Sequence, residues 1–172
     1  MKTIEIRRHS IRNKPGQDLS EQGVLLARLI GEETGPFDRV VTSPIPRAIQ
    51  TAEAMGCKVD EQNPQLATCG DGVEMECPWP ASFTDYAAAY KRGGATFSYA
   101  RRLAVFYTQL AESLPELGSA LVINHGGVVE ISAVACLPDF DHTTLGDYCE
   151  CCEGVRLAWD GGKFVSAEAL RV

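Results

Sequence analysis

The stretch that most constrains the fold is Ala120-Leu121-Val122-Ile123, followed at once by Asn124-His125-Gly126-Gly127. Four consecutive apolar residues without polar alternation predict a strand covered on both faces, the habit of a parallel strand inside an α/β sheet. A parallel strand requires a crossover connection, usually a helix. The residues around it supply such helices. Ser20 is an N-cap candidate for a helix to about residue 33, with Val24, Leu25, Ala27 and Leu29 as its buried stripe. Residues 37–42 read as a strand with Val40-Val41 at its centre. Ser43-Pro44 then opens a helix to about residue 55, with Ser43 as cap, Pro44 at the first helical position and Ile45, Ile49 and Ala52 facing inward. A third strand is expected at 57–59. A long helix follows at 97–114, with Leu103, Phe106, Leu110 and Leu114 as its spine. The tail reads as two strands, 148–159 and 163–170, joined by the hairpin turn Asp160-Gly161-Gly162.

The expected architecture is α/β: a three-layer sandwich with a mostly parallel central sheet, helices on both faces and a C-terminal hairpin. At 172 residues the chain is expected to be one domain. Residues 60–97 are broken by prolines and glycines, with one short helix at 81–91, and are expected to form a lid or a substrate-shaping insertion.

In open α/β sheets ligands sit beyond the carboxyl ends of the strands. The first strand, Ile4-Glu5-Ile6, runs into Arg7-Arg8-His9-Ser10-Ile11-Arg12, three arginines around one histidine. His125 ends the apolar strand, and Arg47 falls in the first turn of the helix after the second strand. Two of the chain's three histidines thus end strands, with arginines beside them. Guanidinium groups hold phosphoryl oxygens by paired hydrogen bonds, and their charge keeps a neighbouring imidazole neutral and nucleophilic.

Composition narrows the partners. Sixteen basic against 23 acidic residues leave a net charge of −7, which argues against nucleic acid or an anionic membrane. No apolar run follows the N-terminal charges, and none is long enough to span a membrane. Seven cysteines, an odd number, fit reduced thiols in a cytoplasm. In Cys149-Glu150-Cys151-Cys152, strand alternation points 149 and 151 to one face and 152 to the other, so buried thiols are expected rather than a metal site. His142, beside Asp139 and Asp141, is expected to be solvated.

The chain resembles the histidine phosphatase superfamily, in its phosphoglycerate mutase-like branch. The matching stretches are Arg8-His9-Ser10, Leu19-Ser20-Glu21-Gln22-Gly23, the run from Thr42 to Ala52 around Arg47, and Asn124-His125-Gly126-Gly127. The resemblance implies a phosphatase acting on a phosphate monoester or a phosphohistidine. His9 would be the nucleophile that becomes phosphorylated. Arg8, Arg47 and His125 would stabilise charge, and Gly126 would help bind phosphate. It implies no cofactor and no metal. The partner would be a small phosphorylated substrate or a phosphoprotein. Phosphoglycerate mutase-type transfer and a non-catalytic phosphate-binding module are the alternatives.

Two positions depart from the family pattern. Ser10 stands where glycine is usual. The leaving-group acid, often in a Leu-x-Glu pattern, has no counterpart at Leu66-Ala67-Thr68. Asp71, Glu74 and Glu76 are the nearby acids. Glu74 is preferred for its reach and its neighbours Val73 and Met75, with Asp71 second; the alternative is an enzyme with no acid. Arg8-His9-Ser10-Ile11-Arg12-Asn13-Lys14-Pro15 resembles the Arg-His-Gly-x-Arg-x-Pro motif of the acid phosphatase branch, which makes Arg12 a further candidate phosphate ligand.

Overall fold

The structure is a computed structural model describing all 172 residues. Its centre is a six-stranded mixed sheet, mostly parallel. The strands are β1 (Lys2–Arg8), β2 (Arg39–Thr42), β3 (Glu61–Gln62), β4 (Ser119–Asn124), β5 (Gly154–Asp160) and β6 (Lys163–Leu170). Their order is β3-β2-β4-β1-β5-β6, with β3, β2, β4 and β1 parallel and the final hairpin antiparallel. The apolar run lies inside β4, between β1 and β2. Ala120 and Val122 join the core on one face and Leu121 and Ile123 the core on the other, all at 0% exposure.

Helices α1 (Glu21–Glu32) and α2 (Pro46–Ala54) pack together on the Leu121 face. The opposite face carries α3 (Asp71–Glu76), α4 (Phe83–Lys91), α5 (Ala95–Ser113) and α6 (Val128–Cys136) over the larger core. This is the expected three-layer α/β architecture. No helix is long and apolar enough to cross a membrane.

Several local expectations shift. Ser20 caps α1 as expected, accepting the Gly23 N–H at 3.0 Å. The buried stripe of α1, however, is Gly23 and Ala27 flanked by Leu26 and Ile30, while Leu25 and Leu29 are exposed. Gly23 sets that rotation, because a Cβ there would lie 2.0 Å from the Ile11 carbonyl oxygen, so only glycine lets α1 approach β1's exit loop. Helix α2 starts at Pro46, with Ile45 as its cap residue, rather than at Pro44. A residue before proline is pushed out of the helical region, and Ile45 is extended at φ −75°, ψ 133°. Its buried residues are Ala48, Thr51 and Ala52, with Ile45 and Ile49 half-buried.

The third strand is two residues long and lies beyond 57–59. The Asp60 carboxylate accepts the Val40 N–H at 2.8 Å and sets the pairing there, while Cys57 and Val59 pack against the smaller core. Residues 60–97 hold α3 and α4 as well as a 3₁₀ turn, Pro64–Leu66. They contribute Leu66, Val73, Phe83 and Tyr86 to the main core. Helix α5 begins two residues early, at Ala95, and Tyr99 and Tyr107 complete its buried face, with Phe106 only partly buried.

The penultimate strand starts at Gly154, not at residue 148. Cys152 adopts φ +64°, which ends any extended run. Gly154 lies so close to Ile6 that a Cβ would sit 1.9 Å from its carbonyl oxygen. The face assignment expected for the cysteines therefore does not apply. Cys149 is buried in the larger core, Cys152 in the smaller one, and Cys151 is half-buried; all seven thiols are free. His142 is buried beside Phe140 rather than solvated, at 5% exposure and 5.8 Å between ring centroids.

Candidate active site

Backbone pairing brings the strand ends together. The His9 N–H donates to the Asn124 carbonyl at 2.9 Å, and the Ser43 N–H donates to the Ile123 carbonyl at 2.9 Å. His9 and Ser43 thus flank the end of β4, where His125 begins. The two imidazoles face each other with ring centroids 5.2 Å apart. Ser10 secures the turn after β1: its hydroxyl donates to the Gly23 carbonyl at 2.7 Å and its N–H donates to Thr51 Oγ1 at 2.9 Å. A serine is accommodated there because its hydroxyl finds that acceptor.

The hydrogen bonds of His9 determine its tautomer. Its Nδ1 lies 2.6 Å from the Ser10 carbonyl oxygen, which can only accept, so Nδ1 carries the proton. Arg47 Nε donates to His9 Nε2 at 3.0 Å, so Nε2 presents a lone pair. Burial, opposed in part by the Ser10 carbonyl and aided by Arg47, Arg8 and Arg12, lowers the His9 pKa to about 4. His125 is lowered to about 3 by burial, His9, Arg47 and Arg8. Both rings are neutral at physiological pH. His125 Nε2 is hydrogen-bonded to Ser43 Oγ at 2.7 Å, and that oxygen also accepts the Ile45 N–H.

Arg8, His9, Arg12, Arg47, Glu74, His125 and Gly126 all line one cavity of about 470 Å³, together with Ile11, Lys14, Trp79 and Cys151. Arg8, Arg12, Lys14 and Arg47 bring four positive charges against one carboxylate, in a protein of net charge −7. Burial and the neighbouring Arg12 and Arg8 pull Arg47 below the usual arginine pKa. That crowding is relieved when an anion binds. Arg8 Nη1 donates to the Cys149 carbonyl at 3.0 Å, and its guanidinium carbon lies 5.1 Å from the centre of the Trp79 ring. Arg7, counted in sequence with the arginines around His9, turns to the opposite face. There it pairs with Glu5 at 3.0 Å and donates to the Cys152 carbonyl. The period-2 alternation of a strand separates neighbours in this way.

The three candidate acids go to three places. Glu74 reaches the cavity, its Oε2 accepting the Trp79 N–H at 3.2 Å and its Oε1 facing Cys69 Sγ at 3.8 Å. Asp71 opens α3 on the exposed surface. Glu76 accepts from the N–H and hydroxyl groups of Thr96 and the N–H of Ala95, capping α5. Met75 is 85% exposed, so it offers Glu74 no apolar contact.

Sequence reasoning gave no role to Trp79 or Gln17, and it read Ser43 only as a helix cap, whereas its hydroxyl meets His125. Trp79 packs its ring edge against Gly126, where a Cβ would come within 2.5 Å of it. Gln17 Oε1 accepts from Arg47 Nη1. Neither residue has a periodic pattern to betray it. The one signal was Pro78-Trp79-Pro80, a large aromatic held between two prolines in the segment broken by prolines and glycines.

No protein-family model matches the chain, and no curated protein matches it by sequence. Solved structures do match, over nearly the whole chain. A phosphoserine phosphatase of Entamoeba histolytica, in complex with 3-phosphoglyceric acid, superposes with a TM-score of 0.71 at 16% identity. It covers 100% of this chain and 98% of its own. A mycobacterial glucosyl-3-phosphoglycerate phosphatase in complex with VO3 gives 0.71 at 19% identity, covering 99% and 98%. A phosphoglycerate mutase of Bacillus anthracis gives 0.67 at 17%, covering 98% and 92%. The chain has the histidine phosphatase fold.

Proposed function

We propose that this chain is a phosphoric monoester hydrolase of the histidine phosphatase type, acting through a phosphohistidine on His9. The observation that carries the reading is the pair of hydrogen bonds on His9. One fixes the proton on Nδ1; the other holds an unprotonated Nε2 against Arg47, inside a cavity with three further cations. The solved structures of the same fold include two phosphatases, which supports the class.

In the first step the Arg47 Nε–H turns from His9 Nε2 to a phosphoryl oxygen, and the freed Nε2 lone pair forms a bond to phosphorus as the ester P–O bond breaks. Arg8, Arg12 and Arg47 neutralise the phosphoryl oxygens, and the proton stays on Nδ1, donated to the Ser10 carbonyl throughout. On this reading Glu74, which lines the cavity, gives a proton to the departing oxygen and then takes one from water. Water attacks the phosphohistidine, inorganic phosphate leaves, and Nε2 regains its lone pair. The guanidinium and ammonium groups supply the positive charge on this reading, with no metal or cofactor called for. The substrate is a small phosphorylated molecule or a phosphoprotein, met in a cytoplasm that keeps the seven thiols reduced. Residues 60–97 shape the leaving-group side through Glu74 and Trp79.

His9→Ala is expected to retain cooperative melting and to lose turnover of nitrophenyl phosphate. The parent chain, quenched during turnover, should yield an acid-labile, base-stable phosphoryl group on His9. A folded His9→Ala protein of undiminished activity would sink the reading. Phosphoryl transfer between the hydroxyls of glycerate, faster than hydrolysis, would replace it with the mutase reading.

A further inference from the structure

Glu130 is a buried carboxylate that the proposed chemistry does not use. It lies in the first turn of α6 at 0% exposure, and no lysine or arginine nitrogen comes within 4 Å of it. A carboxylate taken into the interior without an ion-pair partner is costly, so its two oxygens must be well occupied. They are. Oε2 accepts the Gly127 N–H at 2.7 Å and Oε1 accepts the Cys149 N–H at 2.7 Å. Burial pushes its pKa up, and those N–H groups and Arg8 pull it back.

The first arm alone would be an ordinary helix cap, for which an exposed glutamate suffices. The second arm crosses to a different part of the chain. Cys149 is gripped from both sides: its N–H by Glu130, and its carbonyl by Arg8 Nη1 at 3.0 Å. Besides that carbonyl, Arg8 meets only the Trp79 ring, 5.1 Å from its guanidinium carbon, and one exposed acid. Its Nε has no hydrogen-bond partner, and Glu150, 65% exposed, stands 3.7 Å away. The first arm meanwhile holds Gly127, next to Gly126 in the cavity wall and two residues from His125. One carboxylate thus ties the turn that aims Arg8 to the turn that carries His125.

We infer that Glu130 is a positioning residue of the phosphoryl pocket, setting the direction of the Arg8 guanidinium through the Cys149 backbone. This rests on the reading of the cavity as a phosphoryl site. Glu130→Gln keeps the size but offers an acceptor to only one of the two N–H groups. A lost hydrogen bond of this kind corresponds to about a tenfold fall in kcat/KM.

The test is a double-mutant cycle on kcat/KM for nitrophenyl phosphate and on the Kd of inorganic vanadate. Glu130→Gln should cost about tenfold in the parent and in an Arg47→Ala background, but less than about twofold in an Arg8→Ala background. Glu130→Asp, which keeps the charge and loses one methylene of reach, should show the same pattern with a smaller loss. Equal effects in the Arg8→Ala and Arg47→Ala backgrounds would overturn the inference while leaving the phosphatase reading intact. So would loss of cooperative melting in both Glu130 variants, which would make the role a matter of folding alone. A parent chain that neither turns over nitrophenyl phosphate nor binds vanadate would remove the phosphoryl reading and this inference with it.

Discussion

At the scale of single residues, the site is a problem of keeping two histidines neutral. Arg47, Arg8 and Arg12 repel a proton from His9, but burial is the larger cause. The sign for activity follows directly. Protonation removes the Nε2 lone pair, so turnover falls as pH drops through the folded value of about 4, well below the ordinary imidazole value of 6.5. The pH dependence of kcat/KM should therefore have its acid limb near pH 4, unless a substrate's own titration is mistaken for it. Using two substrates with different phosphate pKa values separates these. An acid limb that stays near 6.5 with both would show a solvated, unperturbed nucleophile and contradict the geometry.

At the scale of elements, α3 is the piece that carries an acid to the cavity, and the proposed function makes it the one to test for leaving-group preference. It is one short helix, and only Glu74 of its three acids reaches the cavity. Val73, on the same helix, is turned into the core at 1% exposure and fixes its orientation. If Glu74 donates a proton to the leaving oxygen, the benefit is largest for poor leaving groups. Glu74→Gln should then slow an alkyl phosphate by about a hundredfold and nitrophenyl phosphate by much less. Steady-state rates on the two substrates decide it. Equal effects on both, or none on either, would favour a mechanism without an acid, suited to leaving groups such as the imidazole of phosphohistidine.

At the scale of the whole molecule, the same pKa shifts make folding depend on pH. His9 and His125 have folded values of about 4 and about 3, below the 6.5 of an unfolded imidazole. Between those values the unfolded chain binds more protons than the folded one, so stability rises with pH and is lost on acidification from about 6.5 downward. Each buried histidine contributes about 1.4 kcal/mol per pH unit at most in that window. Denaturant midpoints from pH 7 to pH 4.5 should fall, and should fall less steeply in a His9→Ala/His125→Ala chain. An identical slope in that double variant would mean that other groups drive the acid loss.

The residues themselves determined the class of fold and the neighbourhood of the site. Ala120-Leu121-Val122-Ile123 has no polar alternation, so β4 had to be covered on both sides. His9, Arg47 and His125 follow strand or cap signals, and local rules place such positions at the carboxyl end of a parallel sheet. Those are short-range effects, carried by sterics, propensity and period, and they can be read along the chain. Other features depended on long-range contact. Arg7 and Arg8 are adjacent and equally basic; strand alternation parts them, but only the packing around β1 decides which of the two faces the cavity. Asp71, Glu74 and Glu76 are three similar acids within six residues, and the docking of α3 against α5 assigned one to solvent, one to the cavity and one to a helix cap. Glu130, a first-turn acid of α6, is covered by a loop 19 residues away whose approach no local signal gives. Tertiary structure decided these because a side chain's partner there comes from a remote segment, whose position no local preference encodes.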